Sequence, residues 1–220
     1  MSTFVLVLAT SGSTIDHVDA SVLRTKRRQQ PEETKKQILA AGQAFLSERP
    51  YRDLSVDALM SMTGHTRTVF YRHFEDIPSL VLALMGELTS EIVEVGEEWS
   101  RTGRANPEEA RDRLGVFVAF YARNGPIVRA VLDAARDDDR VDAAYTALVE
   151  NFVTITASGM QERIADGDLE PLDAPEIARA LVWMLNGYML NKFGGSETAD
   201  PEHVLETVWT IWTRTLFPGR

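Results

Sequence analysis

The 220-residue chain contains no cysteine. Disulfides, thiolate metal sites and thiol nucleophiles are therefore excluded, and the composition suits a reducing cytoplasm. No stretch reaches the ~20 consecutive apolar residues that a membrane-spanning helix requires. The apolar run Phe4 to Ala9 is shorter than a signal core, and no Lys or Arg precedes it. The histidines, His17, His65, His73 and His203, are scattered, with no spacing that sets two on one helix face toward a metal. No Ser/His/Asp grouping or glycine-rich phosphate loop stands out. The adjacent acids Glu32-Glu33, Glu97-Glu98 and Glu108-Glu109 read as helix-end or solvated residues and not as an acid–base couple. Neither metal, cofactor nor membrane is expected, and catalysis is not the leading reading.

Alternation of the strand type persists nowhere, whereas helix punctuation is frequent. A first helix is expected from Pro31 to Ser47, with Ile38, Leu39, Phe45 and Leu46 inward. Asp76 is placed to cap a long helix reaching Arg101, with Pro78 in its first turn. Asn106-Pro107-Glu108-Glu109 opens another, and Asn124-Gly125-Pro126 reads as its end and the start of the next. Asp137-Asp138-Asp139 marks a break before a long helix from about Val141 to Ala165. Further starts fall at Asp173-Ala174-Pro175-Glu176 and Asp200-Pro201-Glu202, with a stop at Gly194-Gly195. The expectation is an all-α chain of nine helices: residues 1–23 a disordered extension, 24–75 a three-helix unit, and 76–220 a larger helical part.

The most informative segment is Leu54 to Leu80, LSVDALMSMTGHTRTVFYRHFEDIPSL. Ser55 suits the cap of a short helix whose apolar face is Val56, Leu59, Met60 and Met62. Gly64 permits a left-handed turn. Thr66 then suits the cap of a second short helix, Thr66 to His73, with Phe70 and Phe74 on one side. Arg67, Thr68, Tyr71 and Arg72 fall largely on the other side. Such a helix is marginal alone and must be held through its two phenyl rings. Its outward donors fit base edges in a DNA major groove.

This segment resembles the DNA-binding domain of the TetR family of transcriptional regulators, in the turn Thr63-Gly64-His65-Thr66 and the aromatic-rich Val69-Phe70-Tyr71-Arg72-His73-Phe74. The resemblance covers roughly residues 32 to 85. The tail Val204-Leu205-Glu206-Thr207-Val208-Trp209-Thr210-Ile211-Trp212 is similar to the last helix of the ethionamide-resistance branch. His65 stands where a small aliphatic is usual, and Ile77 where the family often has a phosphate-contacting lysine. The resemblance implies a homodimer on a double-stranded operator, with Tyr71 and His73 at phosphates and a C-terminal cavity for a mainly apolar effector.

Charge distribution favours the same partner. The net charge is −10, yet Arg24 to Glu75 holds ten Lys/Arg against six Asp/Glu, a local +4 that leaves −14 elsewhere. A basic head on an acidic body presents only one face to phosphates. The cluster Arg24, Lys26, Arg27 and Arg28 reads as a flexible arm reaching DNA. The DNA-contacting set is therefore Arg27, Arg28, Ser55, Thr66, Arg67, Thr68, Tyr71, Arg72 and His73, with Arg67 the candidate for a bidentate contact to guanine.

From Ala180 to Asn191 no residue is charged, and apolar side chains surround the helix. One side can pack on the chain's own core while the other needs a partner. With the last helix it suits a two-fold four-helix bundle through Trp183, Leu190, Val208, Trp209 and Trp212. Effector contacts are expected from Trp99, Phe117, Phe120, Tyr121, Phe152, Trp183, Met184, Asn186 and Tyr188, with Asn191 a further polar candidate. Three rivals stay open at this point: a thick monomeric core, a regulator without ligand control, and a helical enzyme or carrier.

Overall fold

The computed structural model describes residues 20–102, 106–195 and 199–217. Within them lie eight α-helices, a 3-10 turn and no strand: α1 (Ala20–Glu48), the turn Tyr51–Asp53, α2 (Val56–Thr63), α3 (Arg67–Phe70), α4 (Ile77–Thr102), α5 (Pro107–Ala135), α6 (Asp139–Ala165), α7 (Ala174–Phe193) and α8 (Pro201–Leu216). The chain divides into two compact units, Met1–Lys36 and Gln37–Arg220. In the first, everything described is helical, from Ala20 onward. The second holds the remaining elements.

The later helices are capped at or near the punctuation the sequence shows. Asn106, Asp138, Asp173 and Asp200 each accept a backbone N–H at the start of α5, α6, α7 and α8. At α4, Asp76 Oδ1 accepts from the Ser79 N–H at 2.8 Å, and Ser79 Oγ accepts from the Asp76 N–H at 3.1 Å. This reciprocal pair satisfies two donors that the first turn leaves orphaned.

Two expectations about helix ends are corrected. Helix α1 begins at Ala20, not Pro31, so the backbone of the Arg24–Arg28 cluster is helical and not a flexible arm. Leu, Arg, Lys and Gln dominate that stretch, and these are strong helix formers that outweigh the bond lost at Pro31. Residues 1–19 lie outside those described. Likewise α5 runs unbroken through Asn124-Gly125-Pro126, which merges two of the nine expected helices into one. Gly125 is there for contact, because a Cβ on it would sit 2.2 Å from the Phe193 carbonyl oxygen. It lets α5 and α7 touch through their backbones.

Two groups of buried side chains build the second unit. The smaller joins Ile38, Leu39, Phe45, Leu46, Leu59, Met60, Phe70 and Phe74 to Leu80 and Leu84 of α4 and Ile127 of α5. The larger fills the space among α4 to α8, including Leu114, Val131, Tyr145, Leu185, Met189 and Trp212. Helix α4 contributes to both, with Leu80 and Leu84 in the smaller and Val81 and Ile92 in the larger.

Candidate functional site

The reading motif is built from short pieces. Ser55 caps α2, its hydroxyl accepting from the Ala58 N–H at 3.2 Å. Gly64 ends that helix at φ 71°, in the left-handed region that a side chain disfavours. Helix α3 is then a single turn, shorter than the expected Thr66 to His73. Tighter bonds, Arg72 N–H to Val69 O and His73 N–H to Phe70 O, carry the chain round to Phe74. Thr66 occupies the cap position, but its side chain makes no cap bond there. Met62, expected on the inner face of α2, is exposed.

What anchors this turn is apolar. Phe70 is 0% exposed and packs on Phe74 with ring centroids 5.5 Å apart. With that side facing inward, Thr66, Arg67, Thr68, Tyr71 and Arg72 are all exposed, as is Ser55, and His73 is half-buried. Six of the nine expected contact residues thus share the outward side of one motif. Arg27 and Arg28 lie in α1, and their side chains are outside those described. His65 reaches Gln37 of α1, with Nε2 3.0 Å from Oε1, so this departure from the family pattern ties the turn to the neighbouring helix.

An acidic junction stands beside the motif, and sequence reasoning missed it. Arg140 Nη2 lies 2.7 Å from Asp76 Oδ2 and 2.8 Å from Asp138 Oδ2, so one guanidinium bridges the N-caps of α4 and α6. Burial works to raise the Asp76 carboxyl, but hydrogen bonds from Arg140 and Ser79 outweigh it and hold it below the usual carboxylate range. The bond from Arg140 lowers Asp138 in the same way, against a smaller opposing effect of burial. Tyr51, half-buried alongside, is pushed up by burial and then by the charges of Asp137, Asp138 and Asp76, which keeps its phenol neutral. Depressed carboxylates stabilise the fold above their unfolded value, near 3.9, and that contribution fades as pH falls through the folded value. Arg140→Ala is therefore expected to lower Tm by a steady amount from pH 7 to 5 and by less near pH 3. Equal deficits at both ends in calorimetry would remove the carboxylates from the explanation.

The larger core holds a partly open apolar cavity of about 100 Å³ among α4, α5, α6, α7 and α8. Cavities of this order take up small apolar molecules. Of the residues expected to contact an effector, Phe117, Phe120, Tyr121, Phe152 and Asn186 line it. Phe117 and Phe152 meet edge to face, centroids 5.3 Å apart. Trp183 and Met184 instead point outward and are exposed. Tyr188 is half-buried under Lys192, and Asn191 is exposed. The Trp99 side chain is outside those described. Lining residues not expected from the sequence include Met85, Leu88 and Ile92 of α4 and Tyr145, Val149 and Thr156 of α6. The signal was present, since Tyr145, Leu148, Val149 and Phe152 recur at helical spacing on one face.

The cavity's polar atoms form a chain. The Tyr121 hydroxyl donates to Asn186 Oδ1 at 2.6 Å, and Asn186 Nδ2 donates to the Tyr145 oxygen at 2.6 Å. Burial pushes the Tyr121 phenol far up, with the Tyr145 charge adding to it. Burial also raises Tyr145, though its bond from Asn186 and the charge of Arg129 pull the other way. Both phenols therefore stay protonated, and no lining residue carries a charge.

The residues expected between subunits are divided. Leu190, Val208 and Trp212 are 5%, 1% and 4% exposed, so they belong to this chain's own core and not to an outward face. The apolar surround read from the sequence is real, but most of it is spent internally. Trp183, Met184 and Ile211 are exposed, and Trp209 is half-buried against Phe217.

Comparison with known proteins bears on this architecture. Residues 110–218 match the family model described as the C-terminal domain of the transcriptional regulator EthR. The HTH-type transcriptional regulator EthR of Mycobacterium tuberculosis strain H37Rv is 26% identical over 206 residues, covering 90% of this chain and 94% of the relative. Its counterpart in Mycolicibacterium smegmatis is 24% identical, covering 82% and 84%. The chain is therefore EthR-like, similar to that regulator along nearly its whole length. Solved TetR-family structures share the fold. The regulator PfmR of Thermus thermophilus superposes with a TM-score of 0.65 at 18% identity, over 83% of this chain and 94% of that one. The regulatory protein TetR from Rhodobacter sphaeroides gives 0.61 at 22% identity, over 80% and 96%. The matched family model and the relatives are transcriptional regulators and not enzymes, which retires the enzyme reading. Among the described residues no helix is long and apolar enough to cross a membrane, and no cluster of His or acids is arranged for a metal.

Proposed function

We propose that this chain is a homodimeric, cytoplasmic repressor whose hold on a near-palindromic DNA operator is released by a mainly apolar small molecule. The observation that carries the proposal is the outward set Thr66, Arg67, Thr68, Tyr71 and Arg72 on a turn whose other side is sealed by Phe70. Thr66, Arg67 and Thr68 sit at the start of α3, the part of a recognition helix that goes deepest into the groove. Arg67 is assigned to guanine, and Ser55, Tyr71, Arg72 and His73 to phosphates. Arg27 and Arg28 add phosphate contacts from α1. Roles divide along the chain, with residues 24–75 reading DNA and residues 76–220 binding effector and partner. The cores do not divide there, since Leu80, Leu84 and Ile127 complete the reading motif.

The effector reading rests on the cavity. Its lining is apolar and uncharged, and its polar chain leaves the Tyr145 O–H and the second Asn186 N–H able to donate. A neutral molecule with a hydrogen-bond acceptor, such as a carbonyl, at one end satisfies them, whereas a carboxylate finds no cation. Met85, Leu88 and Ile92 of α4 stand in the wall, and the same helix begins directly after the reading motif. A ligand that fits only one placement of those side chains shifts α4 and the spacing of the two reading helices. Saturating ligand at 100 times Kd is expected to add about 2.7 kcal/mol of stability. A thermal-shift screen should find neutral acceptors raising Tm and matched carboxylates not doing so.

For the dimer, exposed Trp183, Met184 and Ile211 support pairing through α7 and α8. Trp183→Lys is expected to halve the mass seen in sedimentation while leaving the fold's stability within about 0.5 kcal/mol. An unchanged mass places the interface elsewhere. Footprinting tests the whole proposal, because the purified chain should protect an inverted repeat near its own or a neighbouring gene. Absence of any protected repeat rejects it.

A further inference from the structure

Arg67, the residue assigned to guanine above, does not project alone. Its Nη1 lies 3.1 Å from Oδ2 of Asp57, across the turn in the first turn of α2. The Tyr71 hydroxyl bonds the same guanidinium from one turn later on its own segment, and both partners favour its charged form, Tyr71 first. The side chains of Arg67 and Asp57 are 59% and 68% exposed. An ion pair that open adds little to folding. The motif's shape already follows from the Ser55 cap, the Gly64 turn and the buried Phe70. A carboxylate on a face that meets phosphates also opposes binding to any duplex. Its presence there calls for a compensating role.

We infer that Asp57 is a positioning residue for base reading: it fixes the Arg67 fork so that its remaining donors meet one guanine and adapt poorly to other acceptors. The inference rests on the DNA-reading proposal. A guanidinium has five N–H donors in a rigid plane, and a bidentate contact to guanine O6 and N7 uses two. Asp57 and Tyr71 engage two of the five donors, which leaves three for that contact, and the plane is oriented before DNA arrives. Without Asp57 the same side chain can swing to a phosphate or a thymine O4. Binding to wrong sequences then improves while binding to the right one does not, so specificity falls as general affinity rises.

The test uses the full-length chain and duplexes that the wild type selects from a randomised library. D57N removes the charge and keeps the shape. It is expected to tighten binding to unselected duplexes and to reduce the guanine preference by about two- to five-fold, at the same base pair where Arg67→Ala removes tenfold or more. The decisive arm is the double variant D57N/R67A, where D57N should no longer change base preference. If D57N shifts all duplexes equally in both backgrounds, Asp57 acts as a general charge and the inference is wrong. No change at all also overturns it. If the wild type selects no sequence, the DNA-reading proposal itself fails, an outcome distinct from selection that ignores D57N. Circular dichroism and Tm of each variant separate these effects from misfolding.

Discussion

Phe70→Ala is expected to cost about 3–5 kcal/mol of stability and to abolish operator binding with it. Phe70 is fully buried and touches Phe74 and Tyr71, with centroids 5.5 and 5.4 Å away. The helix it anchors has only one turn, too short to persist without packing. Loss of this ring therefore removes the geometry of Thr66, Arg67 and Thr68 together. A domain's whole stability is of order 5–15 kcal/mol, so the motif should open locally even where the larger core survives. Hydrogen exchange should show Val56–Phe74 losing protection first, while α6 and α7 remain slow. Tyr71→Phe, which keeps the exposed ring, should leave protection intact while weakening DNA binding. Uniform loss of protection across the chain in the Phe70 variant would show that the motif has no separate stability.

Gly125→Ala is expected to be comparably damaging, at or above the ~3 kcal/mol upper end of the range typical for an overpacked core. The new Cβ would lie 2.2 Å from the Phe193 carbonyl oxygen and 2.6 Å from its carbon. These are backbone atoms, so no rotamer change relieves the clash and α5 must part from α7. Phe193 is itself 2% exposed, and Val128 and Val131, within two turns of Gly125, line the cavity. The variant should accordingly lose effector-induced stabilisation as well as baseline Tm. Gly115→Ala on the same helix meets only a Leu205 methyl at 3.5 Å and should be tolerated. Equal melting of the two variants would refute the close-approach explanation.

Several later helix starts were legible because each depends on a few adjacent residues: Asp76, Asn106, Asp173 and Asp200 cap as their spacing implied. By contrast, α1 starts well before Pro31, Thr66 makes no cap bond and α6 starts ahead of the expected Val141. The reading motif was legible for the same reason, since Ser55, Gly64 and Phe70 act within one short segment. Where a residue's role is set by a distant element, local rules failed. Asn124-Gly125-Pro126 carries the composition of a break, yet Phe193, far along the chain, makes Gly125 a contact point inside a helix. Trp183 and Trp212 look alike in sequence, but one is 40% exposed and the other 4%, because only the packing of α7 and α8 decides which side faces the core. The Arg140 bridge and the Asp57–Arg67 pair join residues 64 and 10 positions apart. Nothing in a single sequence marks such a partnership, since an exposed charge reads the same whether paired or solvated.

The outward face of α3 carries the regulatory reading, and one titration addresses it. Fluorescence anisotropy should compare a selected duplex with a scrambled one, for the wild type and for the triple variant T66A/R67A/T68A. Each substituted side chain is exposed, so the variant should keep its Tm. Its preference for the selected duplex should collapse to about one-fold, with weak, salt-sensitive binding to both duplexes retained. A correctly folded triple variant that still prefers the selected duplex as strongly as the wild type would place sequence reading on some other surface.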